Sequence, residues 1–495
     1  MTRLSAATLD SLPAKIERPT YDRNAVRRGV VHLGIGAFHR AHQAVIFEDV
    51  LNRGDLRWGI TGVSLRSPTV REQMAPQEGL YSVLIRDGHS ESVRIIGAVH
   101  DVLVAPEQRQ DVLAALAHPD THIVTLTITE KGYKLDPATG ALIESDPQMS
   151  ADLASLATPQ TAPGFLVAAL AMRRAAGLRP FTAISCDNLP HNGSRLRAAV
   201  IALAHRHDAA LADWIGAEGA FPETMVDRIV PATTEADIAS TREMLGVEDR
   251  AMVKTEPFCQ WVIEDKFCGE RPDFGDSVQL TSAVAPWEEA KLRLLNGAHS
   301  GIAYLGGLAG IDHVHEVLAI PAARHFVERL WDEAQATLSP PPELDVAAYR
   351  NALMARFDNP TLLHRTRQIA MDGSQKLPQR LLAPIEARLR TGGSIDALAL
   401  AVAAWIRWQS GRDDLGKSYV VDDPLADVLA SRIAGQDYAA DRVSRIMDVD
   451  AIFPATLRQN DALRETLTGW LDILERRGAR GALQRLEAQR LEAGT

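Results

Sequence analysis

A chain of 495 residues is too long for one ordinary core and fits two large domains, and 46% apolar with 24% charged residues argues against a largely disordered polymer. A net charge of −11 without any dense Lys/Arg tract argues against nucleic acid or an anionic bilayer as partner and leaves small molecules. Cys186, Cys259 and Cys268 form no Cys-x-x-Cys pair, which disfavours a disulfide framework, a structural zinc site or a redox dithiol. The N-terminus lacks an apolar signal core, and the longest apolar run, Ala397 to Ile406, is far short of a membrane span; a cytoplasmic protein is expected.

The β-branched run Gly29 to Leu33 ends at the Gly34-Ile35-Gly36 turn, and a helix-compatible segment runs from Ala41 to Asn52. The next strand candidate, Trp58 to Val63, follows at βαβ distance, as in a nucleotide-binding α/β sheet. Gly34 would permit the turn, Gly36 the close approach of a phosphate, and the helix start beyond them would offer unpaired N–H groups. A Gly-x-Gly pair alone is a weak signal, since His39 stands where a third glycine is usual.

Two further strand-like runs, Thr121 to Thr129 and Phe181 to Ser185, end at Glu130 and at Asp187-Asn188. In open α/β sheets ligands sit beyond such carboxyl ends, so these polar residues are candidates for the same crevice as the glycine turn. Turn capping is the competing reading for Asp187 and Asn188. The pair Asp227-Arg228, inside the apolar run Met225 to Pro231, reads as a structural ion pair.

From Pro286 long helical patterns take over, interrupted at Ser339 to Pro342 and again at Met371 to Pro378. The expected architecture is α/β: a Rossmann-type dinucleotide-binding domain over 1–285 and a mostly α-helical substrate and catalytic domain over 286–495. Pro286-Trp287-Glu288 is a helix start, so Lys291 falls in an early turn of that domain, and the inter-domain cleft is the natural place for a site. On an α-helix, Asn296 lies about 140° and His299 about 80° around from Lys291, so the three fit one sector. An amine and an amide on one face suit proton transfer and alkoxide stabilisation, the needs of carbonyl/alcohol redox chemistry. Surface solvation of Lys291 and core satisfaction of the other two is the bland alternative. The stretch from Leu471 onward reads as a surface-packed helix.

These residues together resemble the polyol-specific long-chain dehydrogenases, the mannitol dehydrogenase family, which includes mannitol 2-dehydrogenase and fructuronate reductase (D-mannonate oxidoreductase). The resemblance rests on Gly34 to Gln43, Thr127 to Tyr133, Ser185 to Asn188, Val226 to Ile229, Glu256-Pro257-Phe258 with Gln260-Trp261, and Lys291, Asn296 and His299, and it covers nearly the whole chain. It implies metal-independent hydride transfer with a nicotinamide cofactor. Lys291 would be the acid/base, Asn188 and Asn296 would hold the alkoxide-like oxygen, and His299 would orient substrate hydroxyls. Asp227, Lys376 and Gln368 would bind substrate, and Glu130 would relay protons. Gly34, Gly36, Phe38, His39, Arg40 and Arg66 would contact the cofactor.

NAD is the expected cofactor, with NADP open, because Val63 to Thr69 has no acidic residue for the adenosine ribose and Arg66 could meet a 2′-phosphate. Gln368 stands where mannitol dehydrogenases have arginine, which favours fructuronate/mannonate as the substrate pair; Asn188 to Gly193 and Gly62 to Ser67 look closer to the mannitol enzymes. Mannitol/fructose interconversion is therefore the alternative, and a non-catalytic nucleotide-binding protein the reading from another class. For a sugar acid, Arg365, Arg367 or Arg380 could meet the carboxylate. The resemblance implies a monomer or weak oligomer.

Overall fold

The computed structural model describes residues 2–88, 90–136 and 139–493. The chain divides into two compact units, Met1–Val284 and Ala285–Thr495.

The first unit is built on β1 (Val30–Leu33), β2 (Ile60–Ser64), β3 (Tyr81–Arg86), β4 (Glu91–Ile96), β5 (Val99–Val104), β6 (Ile123–Leu126), β7 (Thr182–Ser185), β8 (Thr224–Asp227), β9 (Val253–Thr255), β10 (Gln260–Glu264) and β11 (Gln279–Thr281). The central sheet is parallel in the order β5-β2-β1-β6-β7. Two three-stranded sheets, β11-β10-β8 and β4-β3-β9, complete the unit. β1, β6 and β7 are buried along their whole length, as strands covered on both faces are, and the few polar residues in them, such as His32, Thr125 and Ser185, are buried too. Alternation then sorts the residues: Val31, Leu33, Val124 and Leu126 join the core formed with helices 109–117, 162–175 and 192–207. Val30, Ile60, Ile123 and Ile184 join the opposite core with helix 43–52. The chain runs outward from β1 through β2 to β5 and returns to β6 on the other side of β1, which makes the β1/β6 carboxyl ends a topological switch point.

The second unit is helical. Helix 297–308 is buried on every side and packs on helix 396–408, which in turn packs on 461–493. That last element starts at Asp461, breaks at Gly478 (φ 67°) and buries Trp470, Leu471, Leu474, Leu483 and Leu486 while Glu475, Arg476, Arg477 and Arg480 stay exposed, a helix packed on the core by one face as expected from Leu471 onward. Among the described residues no helix is long and apolar enough to cross a membrane.

Two segments depart from α-helical expectation. Lys291–Asn296 is a π-helix inserted between the α-helices Ala285–Ala290 and Gly297–Leu308, with the Gly297 N–H reaching back to the Leu292 carbonyl. Pro378–Leu382 is a second π turn, between α-helices 373–377 and 383–390. The interruption expected at Met371 to Pro378 is thus confined to a tight turn at Asp372 (φ 53°). Pro378, which cannot donate to an α-helical ladder, is absorbed by the wider π spacing. The two π turns touch: a Cβ on Gly297 would lie 3.1 Å from the Arg380 carbonyl, so glycine allows this backbone approach.

Candidate functional site

In the first unit a cleft of about 320 Å³ opens at the switch point, lined by Gly34, Gly36, Ser64, Arg66, Ser67, Thr127, Thr129, Lys131, Gly132 and Lys134 among others, with no carboxylate in its wall. Gly34 is required: its φ is 99° and a Cβ there would meet the Thr127 carbonyl oxygen at 2.1 Å. The Thr127 hydroxyl donates to the Gly34 carbonyl at 2.8 Å, so it accepts from His32 Nε2 at 2.9 Å, and His32 Nδ1 meets the Thr125 hydroxyl at 2.8 Å. This chain needs a neutral imidazole, and burial lowers the His32 pKa to about 3. A fully buried histidine thereby fixes the glycine turn from beneath.

Of the expected cofactor contacts, Gly34, Gly36 and Arg66 line the cleft; the side chains of Phe38, His39 and Arg40 do not. His39 is fully buried, stacked on His32 at 3.4 Å and beside Gln43, and Phe38 stacks on His42. The Arg40 guanidinium turns inward to the Ala251 carbonyl and lies over the Tyr81 ring. The reason is local: the chain after Gly36 forms the short helix Ala37–Ala41, breaks at His42 and resumes as Gln43–Asn52, which carries these side chains into the core.

At the β7 end, Asp187 does more than cap a turn. Its buried carboxylate accepts from the Ile128 and Thr129 N–H groups at 3.1 and 2.8 Å and from the Tyr133 hydroxyl at 2.6 Å. Burial raises its pKa while these donors oppose the rise. Asn192 donates to the Asp187 and Thr224 carbonyls, both at 3.0 Å, so the short loop bearing the exposed Asn188 is tied to β7 and β8 at its base. Glu130 opens a short 3-10 turn, is exposed, and has Arg195 at 3.9 Å. Asp227 is buried at the end of β8, opposite Gln260. Arg228 donates to the carbonyls of Ala41 and Glu256, and the Glu256 carboxylate accepts from the Ile229 N–H, so the Val226-to-Ile229 and Glu256-to-Phe258 motifs form one structural lock.

In the second unit Lys291 is buried, at 7% exposure, and Asn296 is half-buried. Because a π turn closes between residues five apart, Lys291 and Asn296 fall nearly in line along the helix, nearer than the α-helical estimate of about 140°. The Trp331 indole N–H donates to the Leu294 carbonyl at 2.8 Å and helps hold this turn. His299 is buried between Phe357 and His364, with ring centroids 4.7 and 5.0 Å away, and its Nε2 has no partner. Burial first, then His364, Arg356 and Arg380, hold its pKa well below the usual histidine value, so it is a neutral hydrogen-bonding group.

The Lys376 ammonium donates to the Met371 carbonyl at 2.5 Å and faces Asp372 at 3.9 Å; burial and the Arg380 charge lower its pKa. Gln368 is exposed on helix 366–369. Arg367 lies over Tyr419 with Asp413 at 3.7 Å, and Arg365 is exposed ahead of helix 366–369. Arg380 differs from both: it is half-buried, donates only to the Ser300 hydroxyl at 3.3 Å, and has no carboxylate partner among the described residues. Burial lowers its pKa to about 10. Sequence reasoning missed this isolation and the Asp187 clamp; neither has a local signature.

Among the described residues no group of three or more His, Cys, Asp or Glu is placed to hold a metal ion. A model of the mannitol dehydrogenase Rossmann domain matches residues 28–275, and a model of the mannitol dehydrogenase C-terminal domain matches 283–474. The chain is 43% identical over 472 residues to an Escherichia coli D-mannonate oxidoreductase, covering 94% of this chain and 97% of that one. It is 40% identical over 492 residues to a mannitol 2-dehydrogenase of Pyrenophora tritici-repentis, covering 98% and 86%. The solved ternary complex of Pseudomonas fluorescens mannitol 2-dehydrogenase with NAD and D-mannitol superposes with a TM-score of 0.83 at 36% identity, covering 98% and 99%. With both of its units matched along most of their length, the chain belongs to the mannitol dehydrogenase family.

Proposed function

We propose that the protein is an NAD-dependent oxidoreductase interconverting D-mannonate and D-fructuronate without a metal. One observation carries the chemistry: the helical unit buries an amine, Lys291, in line with an amide, Asn296, on a π turn. In oxidation the Lys291 amine takes the hydroxyl proton, and in reduction its ammonium returns one to the carbonyl oxygen. The Asn296 amide donates to that oxygen as it gains charge. His299, neutral and with Nε2 unpartnered, accepts or donates a hydrogen bond at a neighbouring hydroxyl.

Bound NAD supplies the hydride acceptor, and NADH the donor. The first unit's cleft fits such a group: its glycine turn admits a phosphate closely, Arg66, Lys131 and Lys134 line it, and no carboxylate opposes a pyrophosphate. Relatives named for mannonate and for mannitol leave the substrate open, and Arg380 favours the acid, since a half-buried guanidinium without a carboxylate partner among the described residues suits an anionic ligand. The test is NADH oxidation with D-fructuronate and with D-fructose. A higher kcat/KM on fructuronate is expected; a higher value on fructose would transfer the assignment to mannitol/fructose chemistry, and turnover on neither would return the non-catalytic reading.

A further inference from the structure

Thr129 has the least expected backbone in the first unit. Its φ of 64° and ψ of 164° lie in a region essentially reserved for glycine, and a β-branched side chain is poorly suited to it. The conformation is imposed by Asp187, whose carboxylate takes the N–H groups of Ile128 and Thr129 and is itself held by the Tyr133 hydroxyl. A glycine would satisfy the same clamp without steric strain, so the backbone alone does not call for a threonine.

The side chain supplies the missing reason. Thr129 is exposed, and it lines the dinucleotide cleft with Gly34, Gly36 and Thr127. It stands at the N-cap of the 3-10 turn Glu130–Tyr133 through its backbone alone, and its hydroxyl makes no hydrogen bond among the described residues. The neighbouring Thr127 hydroxyl, by contrast, is spent on the Gly34 carbonyl. We propose that the Thr129 hydroxyl is a cofactor contact, donating to a phosphate or ribose oxygen of the dinucleotide, and that Asp187 holds it there by locking the strained backbone. This rests on the reading that the cleft takes NAD.

The experiment titrates NADH into the full-length parent and into Thr129→Ser, Thr129→Ala and Thr129→Gly, with the thermal midpoint of each unliganded protein measured alongside. Thr129→Ser binds within about twofold of the parent, whereas Thr129→Ala and Thr129→Gly bind about three- to tenfold more weakly, the range for one lost hydrogen bond. Thr129→Gly also melts higher without ligand, by about 2–4 °C, because it sheds the strain while the clamp stays. Unchanged NADH affinity in Thr129→Ala overturns the contact, and a lowered midpoint in Thr129→Gly overturns the stored strain. A parent that fails to bind NADH overturns the NAD reading itself, and this inference with it.

Discussion

Replacing Arg380 with glutamine should lower activity on the proposed sugar acid far more than on a neutral ketose. The half-buried guanidinium has only the Ser300 hydroxyl as partner among the described residues, and desolvation lowers its pKa to about 10. A carboxylate arriving there relieves that burden and forms charge-assisted hydrogen bonds. Truncating one partner of such a pair typically costs about 2–5 kcal/mol, or roughly 30- to 3,000-fold in kcat/KM on fructuronate. Fructose presents only a hydroxyl at that end, so its kcat/KM falls by at most about tenfold, the cost of one ordinary hydrogen bond. Arg380→Lys keeps the charge and loses the planar fork, so it falls between.

Initial rates of NADH oxidation on both sugars, for parent and variants, give the ratio directly. The thermal midpoint serves as a control: removing an unpaired buried charge should leave it unchanged or raise it. Parallel losses on the two substrates, or an unaffected rate on fructuronate, would refute the assignment of Arg380 to the carboxylate.

Lys291→Ala should lower kcat by about 10²- to 10⁴-fold, with NADH affinity unchanged and no response of the parent to chelators; activity within severalfold of the parent would exclude the acid/base role. Arg66 is exposed at the carboxyl end of β2 in a cleft wall without carboxylates, so Arg66→Gln should weaken NADPH binding by about tenfold and NADH binding by less than about twofold. Equal effects on the two dinucleotides would rule out a 2′-phosphate contact. Burial depresses the pKa values of His32 to about 3 and His364 to about 4, and those of His39 and His299 well below 6.5. Their folded values lie below the unfolded one, so the stability they contribute is complete above about pH 6.5 and is lost as pH falls, by up to about 1.4 kcal/mol per pH unit for each histidine. Glu48, Asp249 and Glu333 are buried with raised pKa values and oppose this loss. The urea midpoint should therefore drop between about pH 7 and pH 5.5, and a flat profile would show that these histidines are accessible to protons in the folded state.

What residue order reveals here is what local pattern encodes. Runs rich in β-branched residues and ending in glycine or polar residues marked β1, β6 and β7, although Glu130, Asp187 and Asn188 do not line the cleft with the glycine turn, and the change of period after Pro286 marked the helical unit. Where it misled, tertiary contacts decide the outcome. His39 and Arg40 sit in the glycine-turn motif, but stacking on His32 and the bond to the Ala251 carbonyl draw them into the core. Pro378 read as a chain break because the period-based argument knows only α-helices and loops, whereas a π turn accommodates its missing N–H. The Thr129 backbone could not be foreseen, since nothing marks a non-glycine residue for positive φ when the force acts from Asp187, far along the chain.

The π turn at Lys291–Asn296 also changes the geometry of the proposed chemistry, and in a favourable direction. If it is treated as one residue inserted into an α-helix, the positions after it rotate back by about 100°. Asn296 then moves from about 140° to about 40° from Lys291, and His299 from about 80° to about −20°. Three groups spread over roughly 140° on an unbroken α-helix thus gather within roughly 60°. The same insertion leaves carbonyls short of α-helical partners, and the Trp331 indole takes one of them at Leu294. Gly297, the first residue beyond the turn, admits the backbone of the second π turn and so brings Arg380 toward His299. The departure from regular helix therefore draws the amine, the amide and the imidazole toward one face, with the Arg380 charge felt at His299, which is the grouping the proposed chemistry on a sugar acid calls for.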